Sequence, residues 1–229
     1  MNRYEATARP TAVQTDSAND ILWVTYRWMS VGLGITGLVA WLVSQSPAAI
    51  ELFVTNRIVF YALLFAQLGM VIAFGSVASR ASTAVTGAMF FAYAALTGVT
   101  FSFIFLVYTS ASISSTFLVT GATFGGLSLF GAVTKSDLSG VGRFAMFALI
   151  GLIVASVVNI FFASSALLWV TTFAGVLIFA ALTAYDTQKL KALYAAGLGG
   201  NLALRGALML YLDFINMFLF LLRLFGRRR

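Results

Sequence analysis

From Ala81 to Thr134 the chain carries no Asp, Glu, Lys or Arg. One crossing of a bilayer takes about 20 apolar residues, so an uncharged stretch of this length must cross, turn and cross back. The polar segment Tyr108-Thr-Ser-Ala-Ser-Ile-Ser-Ser115 is where the turn is expected. In lipid every backbone N–H and C=O has to be satisfied inside the protein, which leaves helices or closed barrels. The apolar runs here do not alternate with period two as barrel strands do. An all-α polytopic membrane helical bundle follows. Composition agrees: 61% of residues are hydrophobic and 9% charged, with a mean hydropathy of +0.97, against roughly 25% charged in soluble domains.

Charges divide the remaining sequence in the same way. Arg27 to Glu51 and Arg57 to Arg80 each enclose one crossing, and residues 144–185 split at Ala163-Ser-Ser-Ala166, just after Asn159. The expected spans are 28–44, 58–78, 84–107, 113–133, 144–162, 167–185 and 206–223. They make a single seven-helix domain over 25–229, behind a polar amino-terminal tail, 1–24, read as a short disordered arm. Ser46-Pro-Ala-Ala49 is only faintly like a signal-peptide cleavage site, and the first helix is expected to stay uncleaved.

Lysine and arginine set orientation. The tail and the loops after spans two, four and six hold Arg3, Arg9, Arg27, Arg80, Lys135, Arg143, Lys189, Lys191 and Arg205, while the opposite loops hold Arg57. This places the amino terminus in the cytoplasm. Arg223 and Arg227 to Arg229 break the pattern if the last segment crosses fully, and a re-entrant last segment would restore it. Seven crossings are expected, because earlier helices usually dominate topology.

Neither cysteine nor histidine occurs. Disulfides, thiolate metal sites and imidazole bases are therefore excluded, and proton chemistry falls to carboxylates. The net charge of +7 is scattered singly between apolar runs apart from Arg227, Arg228 and Arg229. Contact with anionic lipid explains it better than nucleic acid does, and no nucleic-acid partner is expected. Gly32-Leu-Gly-Ile-Thr-Gly37 matches a dinucleotide fingerprint letter for letter, but it lies in a membrane helix, where small residues serve close packing. Gly121-Ala-Thr-Phe-Gly125 is read in the same way, inside the bundle or between subunits.

Two aspartates stand out against this background. Asp213 sits at the middle of the last segment, on a face shared with Gly206, Asn216 and Phe220. An ionisable group at such a depth costs about 2.5 to 3.5 kcal/mol on insertion scales and is usually functional. Asp186 closes the sixth span, just ahead of Gln188, Lys189 and Lys191. Plainer readings exist for both: a solvated helix end paired with a lysine for Asp186, and for Asp213 a neutral acid bonded to a backbone carbonyl or to Asn216. If the carboxyls approach each other, they cannot both ionise cheaply in a low dielectric, and they can share a proton. Oxygen-only ligands also suit a hard cation such as Ca²⁺. Arg80, past the second span, could pair with one carboxylate and hold the bundle closed, or be an ordinary loop charge.

Ala184-Tyr-Asp-Thr-Gln-Lys-Leu-Lys191, Leu210-Tyr-Leu-Asp-Phe-Ile-Asn216 and Leu221-Leu-Arg-Leu-Phe-Gly226 resemble motifs of the Bax-inhibitor motif family, bacterial branch, and Thr97-Gly-Val-Thr-Phe-Ser102 resembles its third-helix motif. The resemblance covers residues 20–229. It implies a seven-helix bundle with the last helix central, and a pH-sensitive calcium leak in which Asp186 and Asp213 form a proton-sharing pair that also meets Ca²⁺. Tyr185, Asn216 and Gln67 are supporting polar residues, Gln67 standing where many relatives carry Glu. The family's basic latch at the end of the second helix has Arg80 as its nearest match, with Ala78 at the strict position. Other bacterial relatives modulate a membrane-bound ATP-dependent protease, so the alternative is a binding role with a membrane partner. An intramembrane aspartyl protease would place its second aspartate in Gly-x-Gly-Asp, and here it follows Tyr211-Leu212, so no enzyme and no cofactor are expected.

Overall fold

The computed structural model describes residues 12–197 and 201–229, with side chains described from residue 20 onward. Its regular elements are helical: α1 (Ala12–Ser44), α2 (Pro47–Ile50), α3 (Arg57–Val77), α4 (Thr83–Val107), α5 (Ser110–Val133), α6 (Ser139–Phe162), α7 (Ser165–Ala195) and α8 (Leu202–Phe225), with a π-helical turn at Glu51–Thr55. Seven of them are long and apolar enough to cross a membrane. The helix starts are set by short polar side chains that accept from otherwise unpaired first-turn N–H groups. Asn56 accepts from Ile58 and Val59 at 3.1 and 3.3 Å, and Ser82, Thr109 and Ser164 accept from Val85, Ser112 and Leu167, each at 3.3 Å.

Each expected span is present, and most helices run past their expected ends. α1 begins at Ala12, within the stretch expected as a polar arm, while residues 1–11 lie outside the described residues. α7 continues to Ala195, ten residues beyond the expected end at 185, so Asp186 is an interior residue of a helix and not its solvated end. Charge marks where the hydrocarbon core stops; it does not oblige the helix to stop with it. α8 crosses the full bundle and does not re-enter. Its carboxyl-terminal extension is pinned to the turn between α4 and α5 by Thr109 N–H to Arg227 O (3.1 Å), Arg229 N–H to Val107 O (2.9 Å) and Arg227 N–H to Ser112 Oγ (2.9 Å).

The last helix is central, as the resemblance implies. More than half of the α8 span is buried, against 6% for α3 and 11% for α6. Around α8 pack α1, α4, α5 and α7. Tyr211 anchors it: the ring is fully buried, edge-on to Phe90 and Tyr93 at 5.8 and 5.9 Å, and its hydroxyl lies 2.6 Å from Thr36 Oγ1 on α1. Thr36 Oγ1 also lies 2.9 Å from the Ala94 carbonyl on α4 and 3.0 Å from the Gly32 carbonyl of its own helix. Three helices are joined by this one bond chain, and in an apolar interior such bonds replace the water that lipid withholds.

Close helix approach depends on glycines other than most of those the spacing picked out. A Cβ at Gly34, Gly37, Gly121 or Gly125 would meet nothing within 4 Å, so of these motif glycines only Gly32, against Phe90, packs tightly. The close backbone contacts are at Gly98, where a Cβ would stand 2.7 Å from the Thr36 carbonyl, and at Gly131, where it would collide with the Ala184 carbonyl two residues from Asp186. Neither carbonyl can rotate away without bending its helix. Gly98→Val and Gly131→Val should therefore each destabilise the fold by about 1 to 3 kcal/mol through overpacking, whereas Gly126→Ala should be silent because its Cβ meets open space. Thermal unfolding in detergent checks this, and equal melting of all three variants would refute it.

Candidate functional site

Asp186 on α7 and Asp213 on α8 come together. Their side chains stand within hydrogen-bonding reach of each other, and they are 6% and 4% exposed. The local sequence makes the meeting possible. On α7, Thr183 and Thr187 flank Asp186, fully buried, and return their own hydroxyls to Phe179 O (2.7 Å) and Thr183 O (2.8 Å), so they make no competing claim on the carboxylate. On α8, Asn216 donates to its own helix at Leu212 O (2.7 Å). Oδ2 of Asp213 is buried without a hydrogen-bond partner. An oxygen of this kind in an apolar setting is what a proton or a cation satisfies.

The pair faces a cleft of about 720 Å³ walled by α3, α6, α7 and α8. Most of the wall is Leu, Ile, Val, Met and Phe; besides the aspartates its polar side chains are Gln67, Tyr93, Ser156 and Asn216. Gln67 donates to Thr100 Oγ1 at 3.1 Å, which passes its own proton to Thr97 O at 2.9 Å. Gln67 and Asn216 thus belong to the site that the sequence assigned them to. Tyr185 does not: its ring packs over Gly142 on α6, with Lys189 Nζ 5.6 Å from the ring centre, beside a separate recess lined by Lys135, Ser136 and Asp137. Among the described residues no group of three or more acidic side chains is placed to hold a metal ion. Two carboxyls fall short of the six to eight oxygens of a Ca²⁺ storage site.

Arg80 is exposed and lies outside the cleft wall. The end of α3 is instead tied down by Asn201, at the start of α8, a residue that the sequence did not single out. Its Nδ2 lies 3.0 Å from Ala78 O, 2.8 Å from Ala81 O and 2.9 Å from Thr86 Oγ1, while its Oδ1 accepts from Thr83 Oγ1 at 2.9 Å. Ala78, at the strict position of the expected latch, is fully buried. The carbonyls that Asn201 holds are ones any residue offers, and an Asn ahead of an apolar helix reads as an ordinary N-cap, so nothing in the sequence signalled the clasp.

Residues 18–229 match the model of the family described as inhibitor of apoptosis-promoting Bax1. The chain is 49% identical over 215 residues to the inner membrane protein YbhL of Escherichia coli K12, covering 89% of this chain and 90% of that one. It is 45% identical to an uncharacterised protein of Deinococcus radiodurans, with 93% of each chain covered, and 39% identical to one of Borreliella burgdorferi, covering 92% and 93%.

The Asn201 clasp generates a test. Asn201→Ala removes a half-buried donor shared by two carbonyls and should cost about 0.5 to 1.5 kcal/mol, lowering the melting temperature and exposing the turn at residues 78–83 to protease. Asn201→Asp, nearly isosteric but without the donor, should do the same. Wild-type melting and protection in both variants would show that the clasp carries no weight.

Proposed function

The chain belongs to the Bax inhibitor family, and from that premise we propose that it is a multi-pass protein of the cytoplasmic membrane that leaks Ca²⁺ in a pH-dependent manner, with Asp186 and Asp213 as sensor and gate. The observation that carries this reading is the carboxyl pair itself, buried in mid-bundle with one oxygen unpartnered beside a cleft. In this reading Ca²⁺ is cargo. Two carboxylates give a passing hard cation a place to shed some of its water, and too few ligands to hold it.

Gating follows from conformational balance. Protonating the pair can shift the protein between two conformers only by the difference in proton affinity between them, about 1.4 kcal/mol for each tenfold. The wall with most freedom to move is α3, which is barely buried and packs mainly on α4. The amino terminus is placed in the cytoplasm by the lysine and arginine pattern, and an inner-membrane location matches the name of the Escherichia coli relative. No catalytic step is assigned to the pair.

The experiment is Ca²⁺ flux into proteoliposomes between pH 5 and 8, with wild type, Asp186→Asn and Asp213→Asn. Flux should change with pH in wild type, and either variant should flatten the profile. If folded, correctly inserted protein gives no flux above empty liposomes, the conductance reading fails, and a role in binding a membrane-bound protease or another membrane partner takes its place.

A further inference from the structure

On the side of the bundle away from the aspartates, between α1 and α5, lies a second cavity of about 640 Å³. Its wall is apolar, with Leu22 and Met29 from α1 and Phe124 and Leu129 from α5, and it opens on the surface that faces lipid, where Leu129 is 65% exposed. Three polar features interrupt it. Lys191 of α7 reaches in and donates to the Ala132 carbonyl at 3.0 Å, one of the last carbonyls of α5 that the helix leaves unpaired. An ammonium has three donors, and this bond takes one. Ser128, 4% exposed, lines the groove with its hydroxyl buried and without a partner. Trp23 and Tyr26 stand at the α1 edge, side chains typical of the headgroup level.

We propose that this groove binds one anionic phospholipid, its headgroup on Lys191 and its chain along Leu129 and Met29. The occupant has to come from the bilayer, because the groove opens sideways into it. It is anionic, because the charge lining the groove is Lys191, and Arg27 and Lys135 lie at the same end of the bundle, with Asp20 and Asp137 outside the groove wall. Basic pockets between membrane helices bind acidic headgroups in this way. Gly125 completes the geometry: it lines the groove, and a Cβ there would meet nothing within 4 Å, so the space beside it is open to a lipid chain. The site is independent of the aspartate pair, and its failure would leave the Ca²⁺ reading untouched.

The test titrates delipidated, full-length protein in detergent with phosphatidylglycerol and phosphatidylcholine of matched chains, and counts bound lipid by native mass spectrometry. One phosphatidylglycerol should be retained with about fivefold or greater preference. Gly125→Leu should fill the groove and abolish retention. Gly126→Leu, on the same helix but outside the groove and equally free of neighbours, should leave it intact. Lys191→Gln should keep lipid binding and lose the preference for the anion. Should Lys191→Gln fail to fold, the glycine pair still decides the matter, since neither substitution touches the α5 carbonyl. Equal retention of the two lipids, or retention unchanged by Gly125→Leu in folded protein, would overturn the proposal.

Discussion

Everything else in the bundle is arranged around keeping Asp213 out of lipid. A carboxyl group at that depth is costly wherever it touches hydrocarbon, so the helix that carries it has to be enclosed by others. α8 is the most buried of the seven crossings for this reason, and the helices around it supply what the aspartate face lacks: Asp186 from α7, Tyr93 from α4, Gln67 from α3. The hydroxyls nearby are satisfied within their own helices, as at Thr97, Thr183 and Thr187. That leaves Oδ2 of Asp213 buried without a partner.

The packing separates an inner set of helices from two outer ones. α1, α4, α5, α7 and α8 are bound by short contacts that leave no room for a methyl group at Gly98, Gly131 or Gly206, and by the chain from Tyr211 through Thr36 to α4. α3 and α6 are apolar on most of their surface and lean on one neighbour each, α4 and α7. Helix association in lipid has no hydrophobic drive of its own and depends on packing and hydrogen bonds. Where those are few, the helix is held weakly. The cleft beside the aspartates is walled by both of these outer helices, of which α3 is the less buried.

How much of this was legible in the sequence varies with the kind of interaction. The crossings were legible because lipid imposes a rule on runs of residues, and residues 81–134 admit one solution. The ends at Ser44, Val107, Val133 and Phe162 were legible too, but that of α7 was not, because Lys189 and Lys191 mark the limit of the hydrocarbon while α7 continues through them to Ala195. Asp186 and Asp213 could be singled out by cost alone; that they meet depends on how α7 and α8 face each other, which the resemblance supplied and the spacing did not. Asn201 escaped notice because its partners are mostly main-chain carbonyls. Gly34 and Gly121 fit a packing pattern and pack against nothing, while Gly131 fits none and takes the closest backbone approach. A small-residue pattern tells which face of a helix is smooth, not whether another helix lies there.

On the proposed gating, the Asn201 clasp and the aspartate pair bear on the same displacement of α3, at two levels of the bundle core. Asn201 belongs to the first turn of α8 and holds the last turn of α3. Asp213 lies twelve residues further along, about 18 Å at the helical rise, facing the cleft that α3 walls through Gln67, Leu68 and Val71. A displacement of α3 that opens the cleft at the level of Gln67 must either break the clasp or pivot about it. Pivoting keeps the bonds to Ala78 and Ala81 and lets the far end of α3, near Asn56, travel furthest. That end is joined to α1 through the short α2 and the π-helical turn rather than by deep packing. The fold therefore favours a hinge at residues 78–81 over a sliding of α3 along its axis.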